Sequence, residues 1–188
     1  LSGSVTSKRF SAQRYFQEWK VDFLFSRQTI ANHMKTPGEI LLFLGACANF
    51  AIALVHVGIV IVGSPAYLYF GAAGLADLAA QGSPIPALVT LTLAVLFVAW
   101  GLYALSGAGI LPRLPWPRAA LLIISFIYLG RGSLLLLDLA WLILGAGYPF
   151  RQSVFSAASL VVGLVILVGV ILRWRLIGLR RSPPEVRQ

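Results

Sequence analysis

The sequence predicts an all-α integral membrane protein built as a four-helix bundle. Three observations lead there. The 188-residue chain is 59% hydrophobic and only 11% charged, where a soluble domain carries roughly 25% charged residues. Four separate apolar runs are each long enough to cross a bilayer. The basic residues gather on alternate connections, as they do in multi-pass proteins. Such a composition excludes a disordered chain, a coiled coil and a water-soluble globule. A single cysteine excludes an intramolecular disulfide framework and a cysteine-rich zinc site.

A spanning helix needs ~20 mostly apolar residues, because it rises ~1.5 Å per residue through a hydrocarbon layer ~30 Å thick. The first run is Ile40 to Gly63, the second about Ile85 to Ile110, the third about Ala119 to Gly145, and the fourth Val154 to Leu172. The runs are continuous rather than alternating on period two, which favours helices over barrel strands. Ser64 to Pro84 is the longest connection. Its Tyr67, Tyr69 and Phe70 suit a headgroup-level belt, and Ala72 to Gln81 is expected to form a short helix ending at Gly82. The second connection, LPRLPWPR, carries three prolines that interrupt helix and an interfacial Trp116. The third, GAGYPFRQS, is a tight hairpin link.

Orientation follows from the cations. Lys8, Arg9, Arg14, Lys20, Arg27 and Lys35 precede the first span, Arg113 and Arg118 lie in the second connection, and Arg173, Arg175, Arg180, Arg181 and Arg187 follow the fourth span. The first connection has no Lys or Arg and the third has only Arg151. Basic residues favour the cytoplasmic side. Both termini are therefore expected to be cytoplasmic, with the chain multi-pass in a bacterial inner (plasma) membrane. The net charge of +9 reads as topology and attraction to anionic lipid. No nucleic-acid-binding module is visible, so nucleic acid is not an expected partner.

Residues 1–33 differ from the rest. The first residue is Leu1, the only methionine is Met34, and Met34 to Glu39 directly precedes a span. Residues 1–33 are expected to be an N-terminal extension outside the membrane domain, either read through from upstream or appended. The competing reading is an amphipathic segment whose Phe10, Tyr15, Phe16, Trp19, Phe23 and Phe25 dip into the interface. Residues 34–178 then form the four-span domain and 179–188 a basic cytoplasmic tail. Leu44-Gly45-Ala46-Cys47 has the form of a lipoprotein box, but the apolar stretch before it is short and the run continues past Cys47. Cys47 is expected to be a buried membrane cysteine.

Helical spacing assigns faces. Positions seven apart lie within ~20°. Gly45, Asn49, His56 and Gly63 share a stripe in the first span with Ala53 beside it; Thr92, Tyr103 and Ser106 cluster in the second. Arg131 and Asp138 share a stripe in the third with Tyr128 adjacent, and Ser156, Ser159 and Gly163 share one in the fourth. Small residues permit close helix approach in lipid, and polar ones bond across helices. These stripes are expected to face inward.

Arg131 and Asp138 are the costly residues, at ~2.5–3.5 kcal/mol each near the bilayer centre. With His56, Asn49 and Tyr128 they form the candidate polar site, in the half of the membrane away from the termini. Tyr67, Tyr69, Asp77 and Gln81 are its expected loop contributors. One reading is an outward-opening cavity that binds a small molecule or relays protons, with His56 titrating and Arg131 holding an anion. The other is an Arg131–Asp138 ion pair, with His56 bonded to a neighbouring helix. No catalytic residue is assigned, no metal is expected because zinc usually takes at least three protein ligands, and no cofactor is expected. The function expected is non-enzymatic: binding of lipid or a small molecule, or service as a partner subunit. The alternative is a small membrane enzyme or proton-coupled carrier. A homo-oligomer or a membrane partner subunit fits either.

The strings LVHVGIVIVGSPAYLYFGA, GSPIPALVTL, WGLYALSGAGIL and YLGRGSLLLLD give residues 34–178 a likeness to a family. This block resembles small four-helix inner-membrane proteins of bacteria without an assigned reaction. The overall plan is also similar, in architecture alone, to DoxX-like four-helix membrane proteins. Neither resemblance implies any catalytic residue here.

Overall fold

The computed structural model describes residues 36–145 and 150–178, and every described element is helical. The extension 1–33 with its aromatics, His33, and the tail 179–188 lie outside the described residues. The helices are α1 (Pro37–Val62), α2 (Ser64–Tyr69), α3 (Ala73–Ala80), α4 (Ile85–Ala108), α5 (Pro117–Ile143) and α6 (Phe150–Gly178). Four of them, α1, α4, α5 and α6, are long and apolar enough to cross a membrane. The protein is thus an all-α, multi-pass membrane protein.

Each boundary has a local cause. α1 starts three residues before the expected Ile40 because Thr36 and Glu39 form a capping box: the Thr36 N–H donates to Glu39 Oε2 at 3.1 Å, and the Glu39 N–H donates to Thr36 Oγ1 at 3.4 Å. α4 stops at Ala108 because Gly109 takes the left-handed conformation, at φ 81°. α5 starts at Pro117, whose missing N–H costs nothing in a first turn. α6 runs six residues beyond the apolar stretch ending at Leu172, carrying Arg173 and Arg175 on continuous helix.

Around the bundle the order is α1, α4, α5, α6. α1 packs along α4, α5 packs along α6, and α1 meets α6, while the α4–α5 contact is the slimmest side. Glycines set these approaches. A Cβ on Gly45 would lie 2.6 Å from Ile166, on Gly101 2.7 Å from Phe50, and on Gly132 2.6 Å from the Leu160 Cα. Leu42, Ala46, Ala104, Leu121, Ile124, Ile166 and Val170 fill a core at the end where α1 begins. A smaller cluster of Ile59, Tyr67 and Ala76 seats α2 and α3 at the opposite end. Exposed Leu, Ile, Val and Phe side chains cover the outside of the spans. A water-facing surface would not tolerate that coat, whereas lipid favours it.

The stripe assigned to α4 is corrected. Thr92 is exposed, and the buried polar residue near that end is Thr90. The Thr92 hydroxyl donates to the Leu88 carbonyl of its own helix at 2.8 Å. A hydroxyl satisfied this way can face lipid without an unpaired polar group. Cys47 is also exposed rather than buried, on the outer surface of α1.

Candidate functional site

The polar layer is built where α5 and α6 run antiparallel. Gly132 lies against Leu160, and Gly163 against Tyr128 and Leu129. That register puts Ser156 at about the depth of residue 136, between Arg131 and Asp138 on the facing helix, and Ser153 at about the depth of Asp138. α5 has the length of the run that predicts it, 27 residues, but begins and ends two residues earlier. Arg131 therefore starts near the middle of the span, and Asp138 lies nearer the α2–α3 end.

Arg131 Nη1 donates to Ser156 Oγ at 2.9 Å, and Ser156 Oγ donates to Asp138 Oδ2 at 2.5 Å. The expected direct ion pair is corrected to a relay through one hydroxyl. The reason is axial distance. Seven residues separate the two charges by ~10.5 Å, and Ser156 fills the gap from the neighbouring helix. Asp138 is 3% exposed and Ser156 fully buried, while Arg131 is half-buried. Two groups, one at each end of this relay, keep unused hydrogen-bonding capacity. Ser153 Oγ is buried with no partner, and Arg131 commits a single N–H to the protein out of the five a guanidinium carries.

Asn49 and Tyr128 form a second cross-link. Asn49 Nδ2 donates to the Gly45 carbonyl at 2.8 Å, and the Tyr128 hydroxyl donates to Asn49 Oδ1 at 3.0 Å. This joins α1 to α5 across the middle of the bundle. Trp100 packs edge-on against Tyr128 with ring centroids 5.5 Å apart.

His56 stands apart from the charges. Its Nδ1 bonds the Ile52 carbonyl of its own helix at 2.8 Å, and its ring lies 4.9 Å from Phe97. The expected bond to a neighbouring helix is corrected: the carbonyl four residues back is within reach and satisfies Nδ1 locally. Phe97 in turn lies 6.4 Å from Tyr128. An aromatic path thus links His56 to Tyr128, and no bond links His56 to Arg131 or Asp138.

The loop residues also divide. The buried Tyr67 hydroxyl bonds Thr90 Oγ1 at 3.1 Å, anchoring α2 to α4. Tyr69 carries the Arg151 guanidinium over its ring at 4.7 Å. Asp77 and Gln81 are exposed on α3 and at its end, with no bond to the relay.

Sequence reasoning missed Ser153 and gave Ser156 to helix packing alone. Its signal was present, since Ser156 and Ser153 lie three residues apart on one helical face. It also missed a cluster at the other end. Arg173 Nη2 pairs with Glu39 Oε1 at 3.1 Å, and Arg173 Nη1 donates to the Gly107 carbonyl at 2.9 Å. Burial pulls the Arg173 pKa down, Glu39 pushes it back up and Arg113 pulls it down again.

Among the described residues, no three His, Cys, Asp or Glu side chains gather as metal ligands would. No family model, curated protein or solved structure matches the chain. The chemistry the relay offers is recognition: a guanidinium with free donors, a bridging hydroxyl, a buried carboxylate and an open hydroxyl at neighbouring depths.

Proposed function

We propose that this chain is a non-catalytic protein of the bacterial inner membrane, with both termini cytoplasmic, that binds a small polar molecule at the Arg131–Ser156–Asp138 layer. The occupant carries an anionic group for Arg131 and a hydrogen-bonding group for Ser153. The observation that carries this reading is the open capacity at both ends of the relay: a buried Ser153 hydroxyl without a partner at about the depth of Asp138 and, ~10.5 Å away along the axis, a guanidinium that uses one donor. Buried polar groups in lipid are satisfied by a partner or mark a pathway or site. The orientation is supported by Arg113, Arg118, Arg173 and Arg175 at one end against Arg151 at the other.

Mass spectrometry of small molecules and lipids released from purified protein tests this. A polar molecule should leave with the wild type and be depleted at least about tenfold with Arg131→Gln, a loss of ~1.4 kcal/mol of affinity. Equal yields from both proteins would overturn the reading.

A proton-coupled carrier is the second reading. Asp138 favours it, because it is 3% exposed and accepts from the Ser156 hydroxyl within a spanning helix, and carboxylates inside membrane spans mark ion and proton pathways. Proton uptake by proteoliposomes that vanishes in Asp138→Asn would support the carrier over the binder.

A further inference from the structure

The arginines at the α4–α5 connection converge more closely than topology requires. Arg113 Nη2 donates to the Leu176 carbonyl at 2.5 Å, and Arg118 Nη2 to the Arg175 carbonyl at 3.4 Å. These carbonyls are consecutive on the last turn of α6, so two guanidinium groups are seated side by side. Arg175 begins on the same turn. The basic side of a membrane protein needs cations, but nothing in that rule requires them to share a turn of helix. Like charges at close range repel unless an anion joins them.

The nearest acid is engaged elsewhere. Glu39 pairs with Arg173 and accepts the Thr36 N–H. Arg118 Nε is buried with no partner. Each of Arg113 and Arg118 gives one N–H to a carbonyl and keeps further donors in the planar fork that matches a phosphate. The surroundings are those of an interface. Trp116 is 83% exposed, and Trp174, 42% exposed, lies under the Arg118 guanidinium at 4.9 Å. Ile171, Leu172 and Leu176 are exposed on the adjoining stretch of α6.

We propose that Arg113, Arg118 and Arg175 hold the phosphate of an anionic phospholipid, with its acyl chains along Ile171 and Leu172. The exposed tryptophans and the apolar flank select a lipid over free phosphate. This site is independent of the Arg131 layer.

The test is native mass spectrometry of the full chain in neutral detergent, titrated with phosphatidylglycerol or phosphatidylcholine. Phosphatidylglycerol should bind at least tenfold tighter. A basic residue near an anionic lipid surface contributes about fivefold, so Arg113→Gln with Arg118→Gln should weaken phosphatidylglycerol by about 25-fold and leave phosphatidylcholine unchanged. Trp116→Ala, at a side chain that bears no packing load, should weaken phosphatidylglycerol binding in a folded protein, and this decides the matter if the double variant fails to fold. Equal binding of the two lipids overturns the proposal, as does undiminished phosphatidylglycerol binding in folded Trp116→Ala. Displacement of the lipid by excess inorganic phosphate overturns its assignment as a phospholipid site.

Discussion

Ser156→Ala removes the hydroxyl that stands between Arg131 and Asp138, and its consequences can be worked from the two bonds it makes. Each bond has a charged partner, at 2.9 Å to the guanidinium and 2.5 Å to the carboxylate. Hydrogen bonds to charged groups contribute ~1.5–3 kcal/mol each, so the gross loss is roughly 3–6 kcal/mol. Part is recovered, because Arg131 can extend and Asp138 leans back towards it as helical side chains do. A net loss of about 2–4 kcal/mol is expected, read as a thermal shift in nanodiscs. The sharper assay is a double-mutant cycle of Arg131→Gln and Asp138→Asn in two backgrounds. With Ser156 present the two changes should be sub-additive, because each strands the same relay. With Ser156→Ala the coupling should shrink to the smaller part that the direct approach of Arg131 and Asp138 recovers. Coupling of unchanged size in the Ser156→Ala background would refute the relay and restore a direct pair.

Other substitutions probe the surrounding structure. Gly132→Ala should destabilise by ~1–3 kcal/mol, since its Cβ would lie 2.6 Å from a backbone atom of Leu160, whereas Gly130→Ala, with nothing within 4 Å, should be neutral or better; detergent melting curves compare them. Tyr128→Phe should cost ~1–3 kcal/mol in the same assay, because Asn49 Oδ1 loses its donor deep in the bundle. Ser153→Ala should leave the empty protein as stable or more so, since the hydroxyl is buried without a partner, yet lower retention of the small molecule; a plain loss of stability would show that the hydroxyl serves the fold.

The architecture was legible because lipid imposes a simple rule. Backbone groups must be satisfied within each segment, so long apolar runs specify helices almost by length alone. Boundaries were less legible where local chemistry moved them, as the Thr36–Glu39 capping box did at α1 and as the helical arginine turn did beyond Leu172. The buried Asn49, Tyr128 and Asp138 were readable from cost and spacing. Partner identity was not. Which serine meets Arg131 depends on the register of α5 against α6, set by Gly132 on Leu160 and Gly163 on Leu129, and no single-helix periodicity contains that register. Spacing likewise could not show that His56 and Thr92 turn to carbonyls of their own helices. The Glu39–Arg173 pair joins residues 134 positions apart in sequence, and helical spacing reaches only a few turns.

Four spans put the α4–α5 connection and the α3 helix on opposite faces of the membrane, with the relay nearer α3. Substituted-cysteine labelling tests this most directly, in a Cys47→Ser background with cysteine placed at exposed Trp116 or exposed Asp77. In intact cells a membrane-impermeant maleimide should label the Asp77→Cys protein, and the Trp116→Cys protein only after permeabilisation. Labelling of both in intact cells, or of neither, would contradict the four-span arrangement on which the site rests.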